Sequence, residues 1–191
     1  GIRSGQILPE GLMPTFTGPD MSAGIKSVGK HVFADLIDKP VRFLEVGVYE
    51  GRSALWLLEN ILTHPLSRYS GVDNWKGDHL AAKVRAVDNL SELYWKRITI
   101  THEDSKTLLP QLSPDTFDGI HIDGCHSYGG AHEDIRNAWP LLKSGGVILC
   151  DDYLREDYGV AKAVHEFLAG LTVVKDYRIT YCDYSIAWRK T

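Results

Sequence analysis

The most constraining feature of this chain is an alternation of two patterns: short apolar runs of strand length, and longer segments whose apolar residues return at helical spacing. Residues 1–20 come first, rich in Gly and Pro and without periodicity. Residues 21–37 then place Ile25, Val28, Val32, Phe33, Leu36 and Ile37 on one helical face, and Pro40 closes the segment. Strand-like runs fall at 41–46, 69–73, 98–101, 117–123 and 147–150, and helical patterns fall between them at 53–62, 80–93, 106–111 and 130–142. The Ser144-Gly145-Gly146 turn separates the last of these helices from the fifth run. A helix at 159–168 and two final strands at 172–180 and 184–189 complete the pattern.

Strands that alternate with helices are joined by right-handed crossovers, so the predicted fold class is α/β: a seven-stranded, mostly parallel sheet with helices on both faces. The last two strands are too close in sequence for a crossover and form an antiparallel C-terminal hairpin at one edge. With 191 residues, 43% hydrophobic and 24% charged, the chain reads as one domain, 21–191, preceded by an arm or lid at 1–20.

Composition narrows the partners. A formal net charge of -4 supplies no basic field, so no nucleic-acid footprint is expected. No apolar run approaches the roughly 18 residues of a membrane span, and the first residues lack a signal-peptide core, so a cytoplasmic location with no membrane partner is expected. Cys125, Cys150 and Cys182 are odd in number and widely spaced, which argues for free thiols. Association into a homo-oligomer is left open.

In open α/β sheets ligands bind at the carboxyl ends of the strands, near the point where strand order reverses. The first such end is a loop at 45–51, where Gly47 permits a tight turn and Gly51 a close backbone approach to a ligand. Two glycines at this spacing serve equally for a purely steric turn. Asp73 ends the second strand about 20 residues later, where an acid accepts the ribose hydroxyls of an adenosine ligand. Asp104 and Ser105 end the third, placed to meet an adenine amino group, although an Asp there also serves as a helix cap. Trp75 reads either as a wall of the adenine pocket or as packing.

The fourth and fifth strand ends carry a denser set. Adjacent parallel strands lie about 4.8 Å apart, so Asp123 and the pair Asp151 and Asp152 converge, and three crowded carboxylates call for a cation of the Mg²⁺ (or Mn²⁺) type. The alternative leaves Asp151 and Asp152 as turn caps and Asp123 as a cofactor contact without metal. His126, three residues after Asp123, is a candidate general base beside such acids, and otherwise a loop histidine. His121 and Cys150 fall inside strands and read as core, and a zinc site from His121, Cys125, His126 and His132 is not favoured.

The segment Glu45-x-Gly47-x-x-x-Gly51, with Asp73, Asp104 and the block 117–153, resembles the class I methyltransferases dependent on S-adenosyl-L-methionine (SAM), over the chain from about Met21 to its end. More narrowly it is similar to the metal-dependent O-methyltransferases of the catechol, caffeoyl-CoA and macrolide-sugar types. The resemblance implies a Rossmann-like sheet, with Glu45, Tyr49 and Ser53 at the methionine end of the cofactor and Asp73 on the ribose. It also implies Asp123, Asp151 and Asp152 as metal ligands, and a histidine at the position of His126 as in the macrolide-sugar enzymes. The activity implied is transfer of the SAM methyl group to a hydroxyl of a small molecule. A metal-independent methyltransferase acting on N, O or C, and a non-catalytic nucleotide-binding domain of the same fold, are the alternatives.

Overall fold

A computed structural model of the chain describes residues 14–20, 22–171 and 175–191. Five strands follow one another in the parallel part of the sheet: β1 (Arg42–Val46), β2 (Arg68–Asp73), β3 (Ile98–His102), β4 (Phe117–Ile122) and β5 (Leu142–Cys150). Helices α1 (Ala23–Val32), α2 (Arg52–Asn60), α3 (Leu80–Tyr94), α4 (Ser105–Leu108), α5 (Tyr128–Ala138) and α6 (Val160–Ala169) lie before, between and after them. The chain ends in β6 (Tyr177–Cys182) and β7 (Ile186–Lys190).

The seven strands form one sheet in the order β3-β2-β1-β4-β5-β7-β6. The first five run parallel, β7 pairs antiparallel with β5, and β6 pairs antiparallel with β7 at the edge. This is the Rossmann-like sheet with its C-terminal hairpin. Chain order reverses between β1 and β4, whose outgoing loops leave in opposite directions and open a crevice between them.

Both faces of the sheet are covered, so its central strands are apolar on both sides. Along β5, Ile148 and Cys150 join a core with Ile135 of α5 and Val164 of α6, while Val147 and Leu149 join a second core with Val32 of α1 and Leu57 of α2. Successive strand residues point to opposite faces, which is why a continuous apolar run, rather than an alternating one, marks these strands. Among the described residues no helix is long and apolar enough to cross a membrane.

Several boundaries differ from the sequence pattern. The first helix stops at Val32 and tightens into a 3₁₀ turn, Ala34–Leu36, instead of running to residue 37. Phe33, at the break, is fully buried with its ring edge-on to Phe43 at 5.0 Å, so core packing overrides the helical period. Helix α5 starts early, at Tyr128, because Ser127 caps it by accepting a hydrogen bond from the Gly130 amide at 3.2 Å. It gives way after Ala138 to a 3₁₀ turn containing Pro140, and β5 already begins at Leu142, with the Ser144-Gly145-Gly146 segment taken up in an irregularity of its pairing with β4. The sixth strand begins at Tyr177, and residues 172–174 of the predicted run lie outside the described residues.

Candidate active site

The sheet's own hydrogen bonding brings the strand ends level. The Gly47 amide donates to the Val72 carbonyl at 2.9 Å, the Asp123 amide to Val46 at 2.8 Å, and the Asp151 amide to Ile122 at 3.0 Å. Parallel pairing therefore continues one residue past β1, β4 and β5, and sets Asp73, Gly47, Asp123 and Asp151 along one edge of the sheet. Gly47 has φ +93°, and a Cβ there would collide with the Asp123 carbonyl. Only glycine lets the loops after β1 and β4 pass this closely.

On the β1–β2 side the polar groups first serve the protein itself. Asp73 Oδ2 accepts the backbone amides of Val48 and Tyr49 at 2.9 and 2.8 Å, and Oδ1 accepts that of Trp75 at 2.8 Å. The carboxylate thus shapes the loop that the sequence pattern marks for a cofactor. Trp75 is buried, its indole N–H donating to the Tyr49 carbonyl at 2.8 Å, so it braces that loop as well. Asp104 caps α4 by accepting from the Lys106 amide at 3.2 Å and pairs with Lys76 at 2.7 Å, while the Ser105 hydroxyl donates to Asp134 at 2.5 Å.

A clamp not singled out from sequence closes the same loop. Buried Glu50 accepts hydrogen bonds from the Thr17 hydroxyl at 2.8 Å, from the Thr17 and Gly18 amides, and from Arg85 at 2.6 Å. Burial pushes its carboxyl pKa upward, but these donors outweigh that and hold it below the ordinary value. Asn89 accepts the Thr15 amide and donates to the Thr15 and Glu50 carbonyls, and Arg52 reaches the Gly18 carbonyl at 2.7 Å. The arm at residues 15–18 is in this way strapped across the outside of the loop.

On the β4–β5 side acids and imidazoles crowd together. His126 Nε2 lies 3.1 Å from Asp152 Oδ2 and 3.5 Å from Asp123 Oδ1, and its ring stacks on Tyr158 with centroids 4.5 Å apart. Contact with Asp123, reinforced by the charge of Asp152, raises the His126 pKa above the ordinary imidazole value. Burial, with the Asp151 charge adding to it, raises that of Asp123. Tyr184 donates to Asp152 Oδ1 at 2.6 Å, and Ser185 to Asp151 Oδ1 at 2.5 Å. Beneath them His121, fully buried, holds Glu45 Oε1 through Nδ1 at 2.9 Å. Burial opposes its charge, yet the hydrogen bond to Glu45 and the charges of Glu45, Asp123 and Asp151 push its pKa up to about 9.

A cavity of about 1220 Å³ joins the two halves, and its wall includes Gly47, Tyr49, Ser53, Asp73, Asp104, Ser105, Asp123, His126, Asp151 and Asp152. Two residues expected at the cofactor are not on that wall. Glu45 is wholly buried, its second oxygen accepting the Tyr69 hydroxyl, so its side chain is spent inside the sheet. Gly51, at φ +82°, instead makes room for Leu90 of α3. The predicted carboxylate trio is also rearranged. Among the described residues the groups whose ligand atoms lie within 4.8 Å of one another are His121, Asp123 and Asp151, and Asp123, His126 and Asp152. A histidine nitrogen stands in each set, while Ser185 and Tyr184 each hold one oxygen, of Asp151 and Asp152 respectively.

Three non-glycine residues on the cavity wall, Tyr49, Trp75 and Asp152, stand at positive φ of 49°, 38° and 56°. Such strain persists only where surrounding contacts enforce it, and it concentrates at functional sites.

The strand order and the cavity at its reversal point define a class I methyltransferase fold. A family profile described as a methyltransferase domain matches residues 44–153, and the chain belongs to that family, that of the SAM-dependent methyltransferases. Solved structures share the fold. An SAH-bound methyltransferase of Podospora anserina superposes with a TM-score of 0.63 at 22% identity, over 84% of this chain and 76% of that one. The O-methyltransferase TomG of Streptomyces achromogenes, in complex with SAM, gives 0.63 at 21%, over 87% and 78%. An rRNA methylase of Streptococcus thermophilus gives 0.62 at 15%, over 85% and 94%. A search of curated proteins finds no sequence match. The chain's activity is therefore SAM-dependent methyl transfer.

Proposed function

We propose that the acceptor is a hydroxyl of a small molecule and that a divalent cation, Mg²⁺ or Mn²⁺, assists the transfer. The observation that carries this reading is the convergence of Asp123 and Asp152 on His126 Nε2 in the cavity whose other half is the β1 loop. The residues fit a cation: His121 Nε2 is buried without a hydrogen-bond partner among the described residues and faces the Asp151 carboxylate. When bound, the cation would lower the pKa of the acceptor hydroxyl.

The remaining work falls to the chain. Tyr49 and Ser53 hold the methionine end of SAM, Asp73 the ribose, and Asp104 with Ser105 the adenine, while Asp123 closes the cofactor site toward the acceptor. His126, held by stacking on Tyr158, takes the hydroxyl proton. The acceptor oxygen attacks the methyl carbon in line with sulfur, the carbon–sulfur bond breaks, and SAH leaves. Alignment of the three atoms is the main contribution to rate. A net charge of -4 favours a small acceptor over a polyanion.

A screen with isotope-labelled SAM across hydroxylated small molecules tests the reading. Turnover is expected to stop with chelator and return with Mg²⁺ or Mn²⁺, and Asp152→Ala to abolish it with SAM binding retained. His126→Ala is expected to lower kcat by roughly 10²–10⁴, the usual range for general-base catalysis. Full activity in excess chelator overturns the cation, an unaltered pH profile in the His126 variant overturns the base, and methylation confined to nitrogen or RNA overturns the acceptor class.

A further inference from the structure

We propose that His121 is a direct ligand of the cation, forming its seat together with Asp123 and Asp151, and that Glu45 and Tyr69 are the positioning residues beneath it. The inference rests on the cation reading above and adds a nitrogen ligand to what the sequence presents as a site of oxygens.

The sheet register creates the arrangement. Glu45 of β1 and His121 of β4 are direct partners across the β1–β4 ladder, and Gly71 of β2 is the partner of Glu45 on its other side. With no side chain at Gly71, the Tyr69 hydroxyl reaches under the strand to Glu45; a Cβ there would lie 2.7 Å from that hydroxyl. Tyr69, Glu45 and His121 are all fully buried. One Glu45 oxygen is thus occupied by Tyr69 and the other by His121 Nδ1, which leaves Nε2 facing the strand end.

Nε2 has no hydrogen-bond partner among the described residues. Its nearest acid, Asp151 Oδ2, stands at 4.0 Å, too far for a hydrogen bond. That oxygen is the uncommitted one, since Ser185 and the Asp152 amide both bond to Oδ1. The ligand atoms of His121, Asp123 and Asp151 lie within 4.8 Å of one another, and two bonds of about 2.0–2.2 Å to one ion span at most about 4.4 Å, so the side chains need to close by only a few tenths of an ångström to share an ion. A histidine that gives its far N–H to a buried carboxylate and points its near nitrogen into a gap between carboxylates has the build of a metal ligand with its orienting partner. Asp152 and His126 are then left as a pair at the cavity, so His126 stays available to the acceptor.

Mixed nitrogen and oxygen ligation favours first-row transition ions over Mg²⁺. The test is Mn²⁺ binding to the purified chain, followed by electron paramagnetic resonance titration and by pulsed detection of nitrogen hyperfine coupling. The inference expects a coordinated histidine nitrogen that disappears in His121→Gln and persists in His126→Asn. Glu45→Gln is expected to weaken Mn²⁺ by roughly 10–100-fold while the nitrogen signal remains, a combination that a purely structural role does not produce. Should the His121 variant not fold, the wild type and His126→Asn still decide the matter. Mn²⁺ bound through oxygen alone, or a nitrogen signal lost in His126→Asn, overturns His121 as the ligand and leaves the cation reading intact. No Mn²⁺ binding overturns both.

Discussion

Gly24, in the first turn of α1, and Asp151, just past β5, fit so closely that a Cβ on Gly24 would fall on the Asp151 carboxylate. The start of the first helix is thereby seated on the reaction end of the cavity, where Ser22 and Ala23 also contribute to the wall. In an ordinary helix Gly→Ala is stabilising by about 1 kcal/mol. Here the Asp151 carboxylate would have to leave Ser185, and the expected outcome of Gly24→Ala is destabilisation by about 1–3 kcal/mol. Thermal melting decides the sign: a higher melting temperature in the variant would show that helix propensity governs this position.

Asp73 is the second point of leverage. Its carboxylate accepts three backbone amides, from Val48, Tyr49 and Trp75, and faces the cavity. Asp73→Ala deprives the loop of that charged acceptor and the ribose of its partner, so SAH affinity is expected to fall by about 1.5–3 kcal/mol. Isothermal titration with SAH measures it, and unchanged affinity would move the ribose elsewhere.

Glu50 ties the arm to the domain as an anion. Since its folded pKa lies below the ordinary 4.5, the stability it confers is present above that value and is lost as pH falls through the lower folded one. Glu50→Gln leaves Arg85 without its carboxylate and is expected to cost roughly 1–3 kcal/mol at neutral pH. Limited proteolysis should cut faster within residues 14–20 of the variant, and its acid unfolding curve should be shallower below pH 4.5. Equal cleavage rates would mean that the strap is held by Asn89 and Arg52 instead.

Asp134 acts in the opposite direction. Burial raises its carboxyl from the ordinary 3.8 to about 6, partly offset by the hydrogen bond from Ser105. The folded state binds the proton more tightly, so this contribution is full below 3.8 and is lost as pH rises through 6. The difference corresponds to roughly 3 kcal/mol at neutral pH. Asp134→Asn keeps an acceptor for Ser105 and removes the ionisation, so the variant should gain stability over the wild type between pH 4 and pH 7. Urea midpoints at the two ends of that range check it; identical pH slopes in the two proteins would place the ionised group in a wetter site than the structure shows.

Local pattern alone determined the elements and most of their cavity-facing ends. Strand-length apolar runs alternating with helical periods leave little besides a parallel sheet covered on both faces, because each run must bury both of its sides. A polar residue directly after such a run must then lie at the sheet edge, which is how Asp73, Asp104, Asp123, Asp151 and Asp152 could be picked out singly, and the whole set lines the cavity. Tertiary structure decided which atoms of those residues are free. Glu45 and His121 read as a cofactor contact and a core histidine, yet the register between β1 and β4 faces them toward each other in a buried hydrogen bond. Ser185 and Tyr184 come from the far end of the chain to occupy one oxygen each of Asp151 and Asp152, and Glu50 becomes a latch only when Thr17 and Arg85 arrive from distant segments. Hydrophobic period is a local property of the chain, whereas hydrogen-bond saturation of a buried carboxylate depends on partners many residues away, and only the folded arrangement specifies them.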